Sequence, residues 1–370
     1  MADEIKFDPT LSREEALMHE LQFRDKVKSA EYHYAIGFNF DGFFDEKQLV
    51  EEFFDKICFL SKEFEYGSFK LGISWPPELG EAQKSHLKHA IQTGLLNILQ
   101  EKLQKKMNFY YPDLEFLIDF NKKLVLVKLN PVFIQGKYCK YSREIAQTEF
   151  FCNKCRGRGC WYCKNTGHFS TDSVEQLMGK VLCSSFGAKL MILHGAGRED
   201  MDVLMLGKGR PFIAELLLPA KRGFDIKLLE EEINVLYKGK ISVNSLEFVT
   251  HAEVSTLKDK HHDKLYAALV HADKNVDYSK LKLGEKIVVM QKTPTRVEKR
   301  RADLMREKEV TLIRVGEITA KEFVVVLRTS HGTYVKEFIS GDHGKTNPCI
   351  STIIDAHCSC TLLDVLEICE

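Results

Sequence analysis

Cys152-Asn153-Lys154-Cys155 and Cys160-Trp161-Tyr162-Cys163 crowd four thiols into the pattern C-x2-C-x4-C-x2-C. Two C-x2-C turns can present four thiolates to one tetrahedral ion, and Gly157 and Gly159 let the backbone between them bend sharply. With all four positions filled by sulfur, such an ion is structural rather than catalytic. Thiolate ligands alone do not separate zinc from iron, and an iron–sulfur cluster is the chemical rival. Free structural thiols leave the crowding unexplained, and His168 reads as a bystander rather than a substitute ligand. The eleven cysteines of the 370-residue chain are too sparse for a disulfide scaffold.

The cluster separates unlike halves. Upstream, residues 1–28 read as a polar helix, residues 31–40 as a strand ending at Asp41-Gly42, and a helix follows. After Trp75-Pro76-Pro77, the stretch 84–106 carries Leu87, Ile91, Leu95, Ile98 and Leu99 at helical spacing, and 114–120 and 124–129 read as a strand pair. Downstream, strand-like runs at 189–193, 212–218, 264–271, 286–290, 310–315 and 322–328 alternate with helical patterns at 173–186 and 228–237. The expected fold class is α+β. A small α+β unit spans 1–140 and a cysteine module spans 141–172. A mixed or antiparallel sheet with flanking helices occupies 173–370.

No run approaches the roughly 20 apolar residues a spanning helix needs, and MADEIKFDPT lacks a signal-peptide layout. A cytoplasmic protein is expected, or a nuclear one if the source is eukaryotic. Lys+Arg and Asp+Glu both total 53, which argues against a nucleic-acid binder held by a uniform basic field. Charge is nevertheless concentrated locally. Lys292, Arg296, Lys299, Arg300, Arg301, Arg306 and Lys308 outnumber Glu298, Asp303 and Glu307, fitting a solvated helix face or an RNA contact.

Directly after the apolar run 189–193 comes His194-Gly195-Ala196-Gly197-Arg198-Glu199-Asp200-Met201-Asp202-Val203. A strand, a glycine turn and then acids is a common way to build an active-site loop. The residues alone leave three readings: a metal-binding acidic cluster as in nucleases, one nucleophilic or basic Asp, and a solvated loop. Gly207-Lys208-Gly209-Arg210 lacks the full phosphate-loop pattern.

Arg198-Glu199-Asp200 with Asp202-Val203, Leu206-Gly207 and Gly209-Arg210-Pro211-Phe212 resembles the catalytic segment of the archaeal and eukaryotic tRNA pseudouridine synthases that modify the T loop. In the family's order follow Gln291-Lys292-Thr293-Pro294 with Arg296-Val297 and Arg300-Arg301, then Gly332 to Ile339, Gly341-Asp342 with Gly344-Lys345-Thr346, and Leu363-Asp364-Val365. The cysteine cluster resembles the archaeal branch, as does Gly136-Lys137-Tyr138 leading to Arg143 and Gln147. Residues 1–135 are similar, less distinctly, to the RNA-binding accessory domain called THUMP. Lys299 stands where the family usually has His, so a basic side chain is kept while a His-specific role is not.

The resemblance implies an isomerase acting on tRNA position 54, 55 or both, with a structural zinc, no organic cofactor, no membrane association and no obligate protein partner. It implies Asp200 as the catalytic carboxylate, with Arg198 and Glu199 positioning the loop and the displaced phosphate backbone. Tyr266 would lie against the target base, where its ring can stack on uracil and its hydroxyl can make one directional bond. Tyr334 and Lys336 would alternate onto one face so that Lys336 pairs with Asp200, and Leu363 with Val335 would form an apolar floor. Arg296, Lys299, Arg300 and Arg301 would hold the remodelled RNA. Two rivals stand beside this reading: a catalytically silent zinc-bearing tRNA-binding protein of the same ancestry, and a nuclease holding Mg²⁺ on Glu199, Asp200 and Asp202.

Overall fold

The computed structural model describes residues 32–40, 45–75, 80–149, 152, 154–155, 158–167, 172–298 and 301–369. The helix expected over 1–28, the turns at Asp41-Gly42 and Pro76-Pro77, and the residues His168, Lys299 and Arg300 lie outside them.

The N-terminal part runs β1 (Tyr34–Gly37), α1 (Glu46–Ser61), β2 (Ser68–Ser74), α2 (Glu81–Leu103), β3 (Lys106–Met107), β4 (Leu114–Asp119) and β5 (Leu124–Leu129). Helix α1 begins where Asp45 Oδ1 accepts the amides of Lys47 and Gln48. It buries Leu49, Val50, Phe53 and Ile57 on one face. In α2 the four-residue spacing of Leu87, Ile91, Leu95 and Leu99 does the same. The strands order as β1-β5-β4-β2-β3. Strands β2 and β4 are parallel, which requires a crossover that α2 supplies, whereas β4 and β5 form the expected antiparallel pair.

The remainder runs β6 (Val132–Lys140), α3 (Val174–Phe186), β7 (Leu190–Gly195), β8 (Leu204–Leu217), α4 (Ile226–Leu236), β9 (Ile241–Val249), α5 (Ala252–Asp259), β10 (Lys264–Ala272), β11 (Lys286–Lys292), β12 (Met305–Thr319), β13 (Glu322–Thr329), α6 (Val335–Ser340), β14 (Thr346–Asn347), α7 (Ile350–Ile353) and β15 (Cys358–Ile368). The sheet order is β14-β11-β12-β13-β10-β15-β8-β6-β9, with β7 also on β8. Strand β15 runs parallel to β8 through Asp364 opposite Leu204 and Val365 opposite Met205, which joins two antiparallel halves into one mixed sheet. Close passage at this seam depends on Gly207, whose φ is +65° and where a Cβ would lie 2.0 Å from Leu366 O. Helix α3 packs Val174, Leu177, Met178, Val181, Leu182 and Phe186 into the sheet's core.

Two local expectations change. Residues 132–140, expected within the unit 1–140, form strand β6, which pairs with β8 and β9 of the larger sheet. Its Val132, Ile134 and Tyr138 belong to that sheet's core, and this burial decides its partner. Residues 335–340 are a helix with Tyr334 at its N-cap, so Tyr334 and Lys336 do not alternate as in a strand.

Candidate active site

Loop 196–203 joins β7 to β8 and hangs from buried polar groups. Glu199 points inward, with Oε2 2.8 Å from Arg210 Nε and both side chains 1% exposed. Tyr138 Oη donates to the same carboxylate, 2.9 and 3.1 Å from its two oxygens. Gln147 Nε2 donates to Tyr138 Oη at 2.8 Å and to Gly197 O at 3.0 Å, while Arg210 Nη1 donates to Ala196 O at 2.7 Å. Lys140 is fully buried and its ammonium donates to the carbonyls of Ser142, Ile145 and Met201 at 3.2, 2.9 and 2.7 Å. Burial pushes Lys140 down to about 8, with Glu199 and Asp202 opposing that shift. Lys264 is brought to about 8 by burial and by Arg210. Gly197 has φ +90°, and a Cβ there would sit 2.9 Å from Arg210 Nη1 and 3.0 Å from Lys264 Nζ, so the tight turn needs glycine.

With Glu199 turned down, Asp200 and Asp202 face outward. Arg296, in the turn after β11, holds Glu337 Oε1 through Nε at 2.7 Å and Asp200 Oδ2 through Nη1 at 3.1 Å. Lys336, in the first turn of α6, lies 3.6 Å from Asp200 Oδ2 and donates to Asp202 at 2.8 and 3.1 Å. Both cations therefore meet one oxygen of Asp200, whose side chain keeps 47% of its surface open. Partial burial works against the Asp202 carboxylate, but the Lys336 ammonium holds it below the usual range.

Buried Gln291 fixes this cation-bearing helix by bonding both backbone groups of Tyr334, Nε2 to O at 3.0 Å and Oε1 from N at 2.9 Å. Across the seam, Arg143 donates Nη1 to Asp202 O at 2.8 Å and to Leu363 O at 3.2 Å, and its Nη2 lies 2.7 Å from Asp364 Oδ1. The loop is thereby strapped to β15. Tyr266 on β10 stands opposite Val365 and Leu363 opposite Ala268, which puts Tyr266, Val365 and Leu363 on one face. Burial pushes the Tyr266 hydroxyl up to about 12, so it is a proton donor at neutral pH.

The carboxylates do not converge on a metal. Glu199 serves Arg210 below the loop, cations engage Asp200 and Asp202, and among the described residues the four cysteines are the one group that could hold an ion. The geometry is that of two outward carboxylates beside an apolar and aromatic wall, Asp200 met by both Arg296 and Lys336 and Asp202 by Lys336 alone among the described cations.

A profile described as "Pus10, C-terminal" matches residues 133–369. The chain belongs to the Pus10 family of tRNA pseudouridine synthases. It is 36% identical over 333 residues to the tRNA pseudouridine synthase Pus10 of Methanocaldococcus jannaschii, covering 87% of this chain and 73% of that one. Against the Pus10 of Korarchaeum cryptofilum it is 39% identical over 319 residues, covering 82% and 86%. The Pus10 of Methanopyrus kandleri is 36% identical over 338 residues, covering 86% and 78%.

In this Pus10-family chain the expected site residues fall into three groups. Asp200, Lys336 and Arg296 come together, although Lys336 bonds Asp202 more closely than Asp200, and Arg296 sits on two carboxylates rather than standing free for RNA. Tyr266, Val335 and Leu363 belong to the neighbouring wall, with Val335 and Leu363 buried in the core, whereas Tyr334 caps helix α6 and is held through its backbone by Gln291. Arg198 and Arg301 are exposed. Glu199 is turned inward onto buried Arg210, so it supports the loop from below instead of reaching the surface. Sequence reasoning gave no role to Lys140, Glu337 or Lys264. For Lys140 and Lys264 the signal was a charge at the end of an apolar strand pattern, since buried lysines need partners, whereas Glu337 lies inside helix α6 and leaves no such mark.

The sulfurs of Cys152, Cys155, Cys160 and Cys163 all lie within 4.8 Å of one another and can hold a metal ion. The amides of Gly159, Cys160 and Gly167 donate to Cys155 and Cys163 sulfurs at 3.2 to 3.3 Å. The module leaves the fold at Ala146 and returns at Ser173, where Ala146 N meets Asp172 O and Val174 N meets Ala146 O. Its base adjoins Gln147, which holds the active loop. Replacing Cys152 and Cys155 with Ser is expected to release one metal equivalent and lower the thermal midpoint, with kcat falling less than about tenfold while the protein stays folded. Elemental analysis and a melting curve check this, and a variant with unchanged metal content would contradict it.

Proposed function

We propose that this enzyme isomerises uridine to pseudouridine in the tRNA T loop, at position 54, 55 or both, with Asp200 as the catalytic carboxylate. The observation that carries the reading is the half-open Asp200 side chain held through one oxygen by Arg296 and Lys336. Two cations fix the direction of the carboxylate, as a nucleophile or base requires. The carboxylate acts on ribose or base as the bond from C1′ to N1 breaks. N1 departs with the bonding electron pair, the base turns, C5 bonds to C1′, the C5 proton passes to Asp200, and N1 takes up one proton in exchange. Atoms and electrons balance without an oxidant or a nucleotide cofactor.

Tyr266 would stack on the uracil and donate through its protonated hydroxyl, with Leu363 and Val365 beneath the ring. Val335 shapes the same wall from helix α6, which Tyr334 caps, and Arg198, Lys299, Arg300 and Arg301 would face the displaced RNA strand.

We assign zinc to the cysteine module. Four sulfurs about 2.3 Å from one tetrahedral zinc stand about 3.8 Å apart; three of the six spacings here are 3.8, 3.7 and 3.8 Å, and all six are within 4.8 Å. An iron–sulfur cluster would push the sulfurs further apart, because the cluster's own atoms lie between them. The N-terminal sheet would serve as a THUMP-like accessory unit that ends before Val132 and adds affinity for tRNA. Lys102 and Lys105 there lie over the rings of Phe54 and Tyr66 at 5.0 and 4.8 Å.

Unmodified tRNA carrying tritium at uracil C5 tests the reaction. Tritium should be released without added Mg²⁺ and with the chain intact. Tight binding without release would support the silent RNA-binding alternative, and Mg²⁺-dependent cleavage would support the nuclease.

A further inference from the structure

We infer that the cysteine module is itself an RNA-contact surface, in which Trp161 stacks on an unpaired base of the tRNA. The inference rests on the tRNA reading above. Trp161 is 78% exposed and Tyr162 46% exposed, although an indole is among the side chains that gain most from burial. Both belong to a short 3₁₀ turn, Trp161–Cys163, pinned at either end by metal-site cysteines, so the rings are presented by a fixed support. Lys154 Nζ lies 4.3 Å from the Trp161 ring centre and 4.1 Å from that of Tyr162. The two rings stand nearly perpendicular, 5.7 Å apart at 79°, with the ammonium within reach of both, and most of the Trp161 surface stays open to solvent.

Charge identifies the occupant. Residues 152–167 contain Lys154, Arg156, Arg158 and Lys164 and no Asp or Glu. Cations interleaved with exposed aromatics match an unpaired nucleic-acid strand, whose bases stack while phosphates meet the cations. A protein-binding apolar patch would not call for an acid-free loop. Position agrees, because the module's base at Gln147 also holds the active loop through Gly197 O. RNA opened at Asp200 would therefore pass beside the module, and T-loop remodelling exposes unpaired bases there.

The chain has two tryptophans, and Trp75 stacks on Phe120 at 4.6 Å in the N-terminal core. Trp75→Phe makes Trp161 the sole indole reporter. Titrating that variant with unmodified tRNA should quench its fluorescence saturably, as base stacking on indole requires. In the otherwise wild-type protein, Trp161→Ala should raise KM for tRNA by about fivefold or more, with kcat at saturating tRNA and metal content unchanged. Trp161→Phe should keep most of the affinity. Unquenched fluorescence, or a Trp161→Ala KM equal to wild type, would overturn the proposal and leave the surface to another partner class such as a protein. Tritium release by the wild-type enzyme tests the tRNA reading separately, so the two can fail independently.

Discussion

Asp200→Asn is expected to lower the single-turnover isomerisation rate by at least about a thousandfold while tRNA affinity stays within about twofold. The amide keeps the shape and the contact with Arg296, but it can neither attack carbon nor accept a proton. Because Asp200 lies on the loop surface, 47% open, and not in the buried network, stability should be unaffected. Asp202→Asn is the internal control. Its loss frees Lys336, which bonds it at 2.8 Å, and the effect should be indirect and at least tenfold milder. Wild-type-like turnover in Asp200→Asn would remove that residue from the chemistry and move it to Asp202.

Glu199→Gln should be the most destabilising single change at the site, by roughly 3–5 kcal/mol. Arg210 is 1% exposed, and its charge would be left buried with Lys264 as a neighbouring cation and without the carboxylate that Tyr138 also bonds and that offsets Lys140. The loop that carries Asp200 hangs from Arg210, Gln147 and Lys140 at Ala196, Gly197 and Met201, so kcat should fall together with the denaturant midpoint. Adding Arg210→Met to Glu199→Gln should recover part of the lost stability, since it removes the unpaired charge. A Glu199→Gln variant with wild-type midpoint and rate would show that the buried pair does not hold the loop.

Much of the fold was legible because periodicity and burial agreed. The runs at 264–271, 286–290 and 322–328 fall within β10, β11 and β13, and those at 189–193, 173–186 and 228–237 overrun β7, α3 and α4 by one residue at one end. The boundary expected at 140 put residues 132–140 with the N-terminal unit without reading a strand there; β6 pairs with the larger sheet, and a strand's own pattern specifies a buried face without naming its partner. Strand β9 was hidden by Asn244 and Ser245 in mid-strand, where Ser245 takes φ +56°. Helix α6 is six residues long, too short for its periodicity to outweigh a strand-like reading of Tyr334 and Lys336.

At the site, motif resemblance brought Asp200, Tyr266, Lys336 and Leu363 into view together. It could not say which carboxylate faces which way. That choice is made by Arg210, which lies eleven residues after Glu199 in sequence but beneath it in space, and by Tyr138 on a strand that enters from the opposite side of the cysteine module. Long-range pairing of this kind leaves no local trace in a single sequence. Arg296 shows the same limit from the other direction. Its neighbours made it look like one member of a basic RNA-facing run, whereas Glu337 and Asp200 draw it into the site.

The most direct test is position-resolved pseudouridine mapping of unmodified tRNA after incubation with the wild-type enzyme and with Asp200→Asn. Pseudouridine is expected at position 54, 55 or both with the wild type, and none above background with the variant although it still binds the tRNA. Pseudouridine confined to sites outside the T loop, or formed equally by Asp200→Asn, would contradict it.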